Sequence, residues 1–140
     1  MTVHDLARKD VVTTHRDQSA GNLATVMKEE NVGSVIIEDD GRPVGIVTDR
    51  DLTLKVLEPR ADPREVTAEE IMTEDPTTVG IDDGVFEVTK TMFEAEVRRI
   101  PVVDDEGAIA GIITLDDFLV LFTDELNGLA GVVEAESAPY

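Results

Sequence analysis

Residues 45–51 read GIVTDRD, and residues 111–117 read GIITLDD. Around these strings, residues 35–52 and 101–118 align without a gap at a constant offset of 66. The sequence of 140 residues therefore contains one unit twice, and units of about 60 residues would each be marginally stable alone. We predict that the two copies are halves of one folded body.

The match continues upstream of these strings with a small change. Residues 5–10 align with residues 70–75, and Met27 aligns with Met92, at an offset of 65. The change of offset predicts one inserted residue between helix and strand in the second copy.

Each copy shows the same order of predicted elements, β-α-β-β-α. A short β-prone stretch precedes a helix whose apolar residues recur at helical spacing. Two apolar strands joined by an Asp-Gly or Glu-Gly turn follow, and a second helix is predicted to begin after Thr48 or Thr114. The β-prone stretches are 11–13 and 77–79, the helical stripes are Ala20, Leu23, Ala24 and Met27 in copy one and Val85, Phe86, Val88, Met92 and Phe93 in copy two, and the strands are 35–37, 44–47, 101–103 and 109–113.

The predicted fold class is α/β, with the two repeats packed about a pseudo-twofold axis into one module. Repeat 1 is predicted over residues 1–60 and repeat 2 over residues 66–126. The linker, at about 58–65, contains two prolines and no apolar stripe. Residues 127–140 have little apolar periodicity and are predicted to form a mobile C-terminal tail.

The composition is strongly acidic, with 31 Asp and Glu against 12 Lys and Arg and a formal net charge of −19. Such a surface repels nucleic acid, so no nucleic-acid partner is expected. The acids are spread over the whole chain and only four basic residues are lysines. This pattern resembles proteins of halophilic archaea, because molar salt shortens the Debye length to about 3 Å and screens the repulsion. The alternative is an acidic surface that maintains solubility at ordinary salt.

Several function classes are excluded by what the sequence lacks. No apolar run approaches the roughly 20 residues of a membrane span, and the N-terminus has no signal pattern, so a soluble cytoplasmic protein without membrane insertion is expected. The absence of cysteine excludes a disulfide, a thiolate metal site and a cysteine nucleophile. His4 and His15 lack a metal-ligand spacing, and no phosphate-binding loop or nucleophile elbow occurs. We expect no catalytic residue, no metal site and no required cofactor, and we interpret the Asp-rich stretches 39–41 and 104–107 as turns.

The repeated string resembles a known family signature. Residues 45–51 and 111–117 match the pattern Gly-apolar-x-Thr/Ser-x-x-Asp of CBS domains, named after cystathionine β-synthase, and residues 31–37 and 97–103 are similar to that family's helix-to-strand junctions. The resemblance covers residues 1 to about 125. It implies a non-catalytic regulatory module that binds an adenine nucleotide in the cleft between its repeats.

Each string contains a threonine and an aspartate three residues apart, and this pair has two interpretations. Thr48 with Asp51, and Thr114 with Asp117, fit a helix capping box that needs no ligand, although capping boxes favour the longer Glu or Gln. The resemblance instead implies that the threonine contacts a phosphate at the helix N-terminus and that the aspartate accepts hydrogen bonds from ribose.

By the same resemblance, each site combines the Thr/Asp string of one repeat with the start segment and junction of the other. Two unlike sites result. Site A is predicted to comprise Ile46, Thr48, Arg50, Asp51, Met72, Pro76, Val97, Arg98 and Arg99. Site B is predicted to comprise Ala7, Val11, Val32, Gly33, Ser34, Ile112, Thr114 and Asp117.

The two sites differ in charge. Arg98 and Arg99 form the only adjacent arginine pair, and guanidinium groups suit bidentate contact with phosphate. Site A is therefore predicted to prefer AMP, ADP or ATP. Site B has Gly33 and Ser34 at the matching place, so it is predicted to accept adenosine, S-adenosylmethionine or no ligand. The alternative for the arginine pair is a solvated contact with the carboxylates of residues 94 and 96.

The resemblance also implies a homodimer that forms through the helices, whether or not a ligand binds. The regulated protein is an expected partner whose identity the sequence does not indicate. A ligand-free dimerisation and protein-interaction module is the alternative function.

Overall fold

The protein is represented by a computed structural model, which describes residues 1–136. Each repeat forms one β-sheet with helices packed on it, which confirms the predicted α/β class. The last element of repeat 1 continues as a π-helical turn over Thr53–Leu57. The helices are α1 (Val3–Leu6), α2 (Ala20–Glu30), α3 (Asp49–Leu52), α4 (Ala68–Ile71), α5 (Val85–Ala95) and α6 (Leu115–Glu136), and the strands are β1 (Thr13–Thr14), β2 (Ser34–Asp39), β3 (Arg42–Thr48), β4 (Thr73–Glu74), β5 (Val79–Gly80), β6 (Arg99–Val103) and β7 (Ile109–Thr114).

The start segment of each repeat joins the sheet of the other repeat. The first sheet has the order β1-β2-β3-β4, in which β1 is parallel to β2 and β4 comes from repeat 2. The second sheet has the order β5-β6-β7, and Arg8 of repeat 1 forms an antiparallel bridge to Ile112 of β7. Both backbone hydrogen bonds of this bridge are 2.9 Å long. This exchange ties the two repeats into one body.

The hydrophobic core is divided between the repeats, and each part includes residues of the other repeat. Val3 is fully buried and packs with Ile100 and Phe118 of repeat 2. Ala68 and Ile71, in turn, pack in the core of repeat 1. Because burial of one large aliphatic side chain contributes about 1.5–3 kcal/mol, separation of the repeats would remove several such contributions.

The helices α2 and α5 place the junction residues that follow them. Ser19 caps α2 by accepting a hydrogen bond from the Asn22 amide at 3.1 Å. The chain then leaves α2 at Asn31 and α5 at Glu96, both in the left-handed conformation with φ of 55°. Asparagine adopts this conformation readily, whereas glutamate does so seldom. The sharp turn at each of these residues directs the junction from the helix into β2 or β6.

The register of the strands corrects the predicted position of the insertion. Val35 lies opposite Val47, and Ile100 lies opposite Ile113. Asn31 and Glu96, which end the preceding helices in the same conformation, are 65 positions apart, so the offset between the repeats is still 65 in β2 and β6 and becomes 66 only in β3 and β7. The predicted insertion between helix and strand is wrong, because the extra residue lies in the turn at 104–108. A solvated turn can lengthen freely, whereas an insertion before β6 would rotate its buried side chains to the other face.

The C-terminal part of the chain also differs from the prediction. Residues 127–136, expected to belong to the tail, continue α6 without interruption, so the predicted break after residue 126 is wrong. Leu126, Leu129 and Val133 extend the helical spacing that begins inside the repeat, although all three are exposed. Residues 137–140 of the predicted tail lie outside the described residues. No helix within residues 1–136 is both long and apolar enough to traverse a lipid bilayer.

Candidate ligand-binding clefts

Both Thr/Asp pairs form capping boxes. The Thr48 hydroxyl accepts a hydrogen bond from the Asp51 amide at 3.2 Å, and Asp51 Oδ2 accepts one from the Thr48 amide at 2.9 Å. The same reciprocal bonds join Thr114 and Asp117, at 3.3 and 2.9 Å. The capping interpretation therefore accounts for one carboxylate oxygen of each aspartate.

The second carboxylate oxygen distinguishes the two aspartates. Asp51 Oδ1 lies 3.3 Å from the ammonium group of Lys55, one turn later in the same segment. Asp117 Oδ1 instead accepts a hydrogen bond of 2.9 Å from Nε of Arg8, in the start segment of the other repeat. Asp117 is 8% exposed. Arg8 thus links the sheet bridge at Ile112 to the N-terminus of α6.

Cleft A is a cavity of about 550 Å³ between the α3 end of repeat 1 and the start and junction of repeat 2. It has the composition predicted for site A in most respects, and it includes three guanidinium groups and three carboxylates. Its lining residues are Ile46, Thr48, Asp49, Arg50, Thr73, Asp75, Pro76, Thr77, Ala95, Glu96, Val97, Arg98 and Arg99.

Two predicted members of site A do not line cleft A. Asp51 is turned toward its capping bonds and Lys55. Met72 is 8% exposed and packs in the core of repeat 1, directly over Gly45. A side chain at Gly45 would collide with the Met72 sulfur, so Met72 would have to shift to accommodate any larger residue at this point of β3.

Cleft B is smaller, at about 280 Å³, and lies between the α6 end of repeat 2 and the start and junction of repeat 1. Of the predicted site B residues, Ala7 and Asp117 are absent from its lining. Ala7 packs beside Gly111, and Asp117 is held by Arg8. The lining residues are Arg8, Asp10, Val11, Val12, Asn31, Val32, Gly33, Ser34, Ile36, Arg99, Ile112, Thr114 and Asp116.

Positive charge is shared between the clefts in a way that the sequence interpretation missed. Arg99 lines both cavities, and its Nη1 atom donates a hydrogen bond of 3.4 Å to the carbonyl oxygen of Gly33. Arg8 adds a second guanidinium group to cleft B, which was predicted to have none. The signal for Arg8 was its position next to Ala7, already placed in site B.

The predicted alternative for the arginine pair was a contact with neighbouring carboxylates. Within residues 1–136, neither Arg98 nor Arg99 forms a salt bridge with residue 94, residue 96 or any other acid. The Arg98 carbonyl accepts the first amide of α6, at 2.8 Å from Leu115. The backbone of this junction is thus fixed while its guanidinium groups remain available to cleft A.

Two α/β repeats with exchanged start segments and a cleft at each junction define a tandem-repeat module. The chain belongs to the CBS domain family, whose family model matches residues 3–58 and 68–124. An uncharacterized protein of Methanopyrus kandleri, MK0525, is 40% identical over 120 residues, which are 85% of this chain. This chain spans 61% of the length of that relative.

Solved structures show the same architecture. The CBS domain pair of protein MJ0100, in complex with 5′-methylthioadenosine and S-adenosyl-L-methionine, is 32% identical with a TM-score of 0.80. The match covers 89% of this chain and 98% of that chain. The CBS domain protein PAE2072 from Pyrobaculum aerophilum, complexed with AMP, has a TM-score of 0.76 at 24% identity and covers 84% of this chain and 89% of its own. At that identity, the second likeness concerns the fold alone.

Proposed function

We propose that the protein is a regulatory module that binds an adenine nucleotide in cleft A and modulates a partner protein, without catalysis of its own. The observation that carries this proposal is the concentration of Arg50, Arg98 and Arg99 around a cavity of about 550 Å³ in a chain of net charge −19. The volume is within the range of about 300–1,000 Å³ typical of sites for small ligands.

The chemistry of cleft A supplies each part that a nucleotide requires. The guanidinium groups and the hydroxyl of Thr48 offer donors to phosphate. Ile46, Pro76 and Val97 offer apolar contact to a flat base. The ribose contact of Asp51 stays a prediction, since one of its oxygens is already used by the cap and the other by Lys55.

A second candidate is an adenosine derivative that carries a positive charge, such as S-adenosylmethionine. The MJ0100 domain pair binds such a ligand. In this chain, Asp49, Asp75 and Glu96 line cleft A beside the arginines, so both charges of an amino-acid moiety would meet opposite charges there.

Two further parts of the proposal concern assembly and environment. We propose that the module forms a homodimer, as its family resemblance implies. We also propose that its acidic surface adapts it to high salt, because 31 acids are distributed over the whole chain.

The test is a calorimetric and thermal-shift screen of AMP, ADP, ATP, S-adenosylmethionine and 5′-methylthioadenosine at high salt. A nucleotide at 100 times its Kd is expected to stabilise the folded state by about 2.7 kcal/mol. Arg98→Gln should weaken binding, whereas Arg64→Gln, an exposed arginine paired with Asp62 away from the clefts, should not. No heat and no shift with any of the five compounds would favour the ligand-free interaction module, and steady ATP turnover would contradict the non-catalytic assignment.

A further inference from the structure

One arginine belongs to both clefts. Among residues 1–136, Arg99 is the one residue that lines cleft A and cleft B alike. It begins β6, and its Nη1 atom donates to the Gly33 carbonyl of repeat 1 at 3.4 Å. The same carbonyl accepts the Asp49 amide at the start of α3, at 3.0 Å. The guanidinium group of Arg99 therefore lies at the boundary between the two cavities.

The remaining residues of each lining have a formal negative charge. Apart from Arg99, cleft A has two basic groups against three acidic groups, and cleft B has one against two. Each cleft is thus one positive charge short of neutrality, and Arg99 supplies that charge to whichever cleft it faces. The basic groups are Arg50 and Arg98 in cleft A and Arg8 in cleft B, and the acidic groups are Asp49, Asp75 and Glu96 in cleft A and Asp10 and Asp116 in cleft B.

The other guanidinium group of cleft B has a partner already. Nε of Arg8 donates to the buried carboxylate of Asp117 at 2.9 Å, and Asp117 lies outside the lining of the cleft. Arg99 forms no ion pair within residues 1–136, and its bond to Gly33 is long. Of these two arginines, Arg99 therefore loses less when it turns toward a phosphate.

Repeat 1 has no counterpart of this arginine. Ser34 begins β2 as Arg99 begins β6, and each follows the left-handed end of the preceding helix by three residues. Ser34 is opposite Thr48 in the sheet, and Arg99 is opposite Thr114. The short serine lines cleft B alone. Two phosphates, one in each cleft, would therefore depend on the same guanidinium group.

We propose that the two clefts compete for Arg99, so that a phosphate-bearing ligand in one cleft weakens the binding of a phosphate-bearing ligand in the other. This inference rests on the proposed nucleotide binding in cleft A and adds a rule for joint occupancy. One guanidinium charge compensates one phosphate charge, and the cleft that loses it retains an excess acid. The coupling is reciprocal, because each ligand changes the affinity of the other by the same factor. A ligand without phosphate does not need this charge, so it is compatible with AMP in the other cleft.

The test measures the affinity of each cleft for AMP by methyl NMR at high salt. Ile46 lines cleft A and Ile112 lines cleft B, so isoleucine labelling reports the two clefts separately. Thr77→Trp fills cleft A from an exposed position. This variant is expected to lower the Kd of AMP at cleft B by about 10- to 150-fold and to leave the Kd of adenosine there unchanged. At about 1 M salt the Debye length is about 3 Å, so long-range repulsion between ligands is screened.

Control variants relate this effect to Arg99. Thr123→Trp, at an exposed position of α6 outside both linings, should leave every Kd unchanged. In an Arg99→Gln background, Thr77→Trp should no longer change the Kd of AMP at cleft B, because there is no shared charge to release. Ser34→Arg gives repeat 1 its own guanidinium group and should abolish most of the difference between open and filled cleft A.

The outcomes separate this inference from the proposed function. AMP that binds cleft A but has the same or a higher Kd at cleft B in Thr77→Trp would overturn the competition and leave the proposed function intact. AMP that fails to reach cleft B even when cleft A is filled would do the same. Absence of AMP from both clefts of the wild type would overturn both proposals. The spectra verify folding, and Ala95→Trp is a second substitution that fills cleft A.

Discussion

Replacement of Arg98 or Arg99 by glutamine should affect the two clefts differently. Arg98 lines cleft A only, whereas Arg99 lines both clefts. Glutamine retains hydrogen-bond donors but removes the charge. We expect Arg98→Gln to weaken phosphate-bearing ligands in cleft A only and Arg99→Gln to weaken them in both clefts.

The size of the expected loss in binding free energy depends on the contacts that each guanidinium group already makes in the ligand-free protein. Arg99 gives up only one long hydrogen bond, 3.4 Å from Nη1 to the Gly33 carbonyl. Loss of a charge-assisted contact to phosphate should weaken binding by about 1.5–3 kcal/mol, or roughly 10- to 150-fold in Kd. The same substitutions should change the free energy of unfolding by no more than about 0.5 kcal/mol, because neither side chain is part of the core.

Titration calorimetry with AMP and with adenosine is the appropriate assay, because adenosine has no phosphate. Both variants should bind AMP more weakly but keep most of their affinity for adenosine. Arg64→Gln provides the matched control at a distance from the clefts. Unchanged AMP affinity in Arg98→Gln, or equal losses for AMP and adenosine, would refute the assignment of these arginines to phosphate.

Three other predictions concern the capping aspartates, two glycines and salt. Asp51→Ala should lower the free energy of unfolding by about 1 kcal/mol as a lost cap, and Asp117→Ala by about 2 kcal/mol because it also loses the bond to Arg8. Urea denaturation measures both, and equal losses would contradict a structural role for the Arg8 bond. Gly111→Ala should destabilise the protein more than Gly45→Ala in the same assay, because its methyl group would lie 2.7 Å from a backbone carbonyl rather than against a flexible methionine. Increasing salt should raise the Tm because it screens a net charge of −19, and a Tm that falls between 0.1 and 2 M salt, taken as rough limits, would argue against adaptation to salt.

The fold was predictable because the same pattern of elements occurs twice in the sequence. The duplicated strings predicted the element order, whereas the exchanged sites were implied by the resemblance to CBS domains. The position of the inserted residue was not predictable in this way. Asp39-Asp40-Gly41 matches Asp105-Glu106-Gly107 at the offset of 66, and this match holds for the strands before it only if the two turns have the same length. Register depends on which residues pair across the sheet, such as Ile100 with Ile113, and that pairing is not a local property.

The segments that line each cleft were predictable, but which of their side chains face the cleft was less so. Thr48, Arg98 and Arg99 line cleft A as the string and the junction indicated. The prediction for Met72 failed because its side chain packs in the core over Gly45. The prediction for Asp51 failed because its carboxylate is hydrogen-bonded to the backbone in the capping box. Whether a side chain faces a cleft or its own backbone depends on contacts that a spacing pattern does not contain.

The exchanged start segments have a consequence for synthesis on the ribosome. Arg8 reaches its partner Asp117 across 109 positions of the chain, and Val3 has its place beside Phe118. At about 5–20 residues per second, several seconds separate the emergence of repeat 1 from that of Phe118. At the start of that interval β4 and α4 have not been synthesised, and throughout it Val3 lacks its native contact with Phe118. Completion of the native contacts of the start segment is therefore deferred until residues 117 and 118 have been translated.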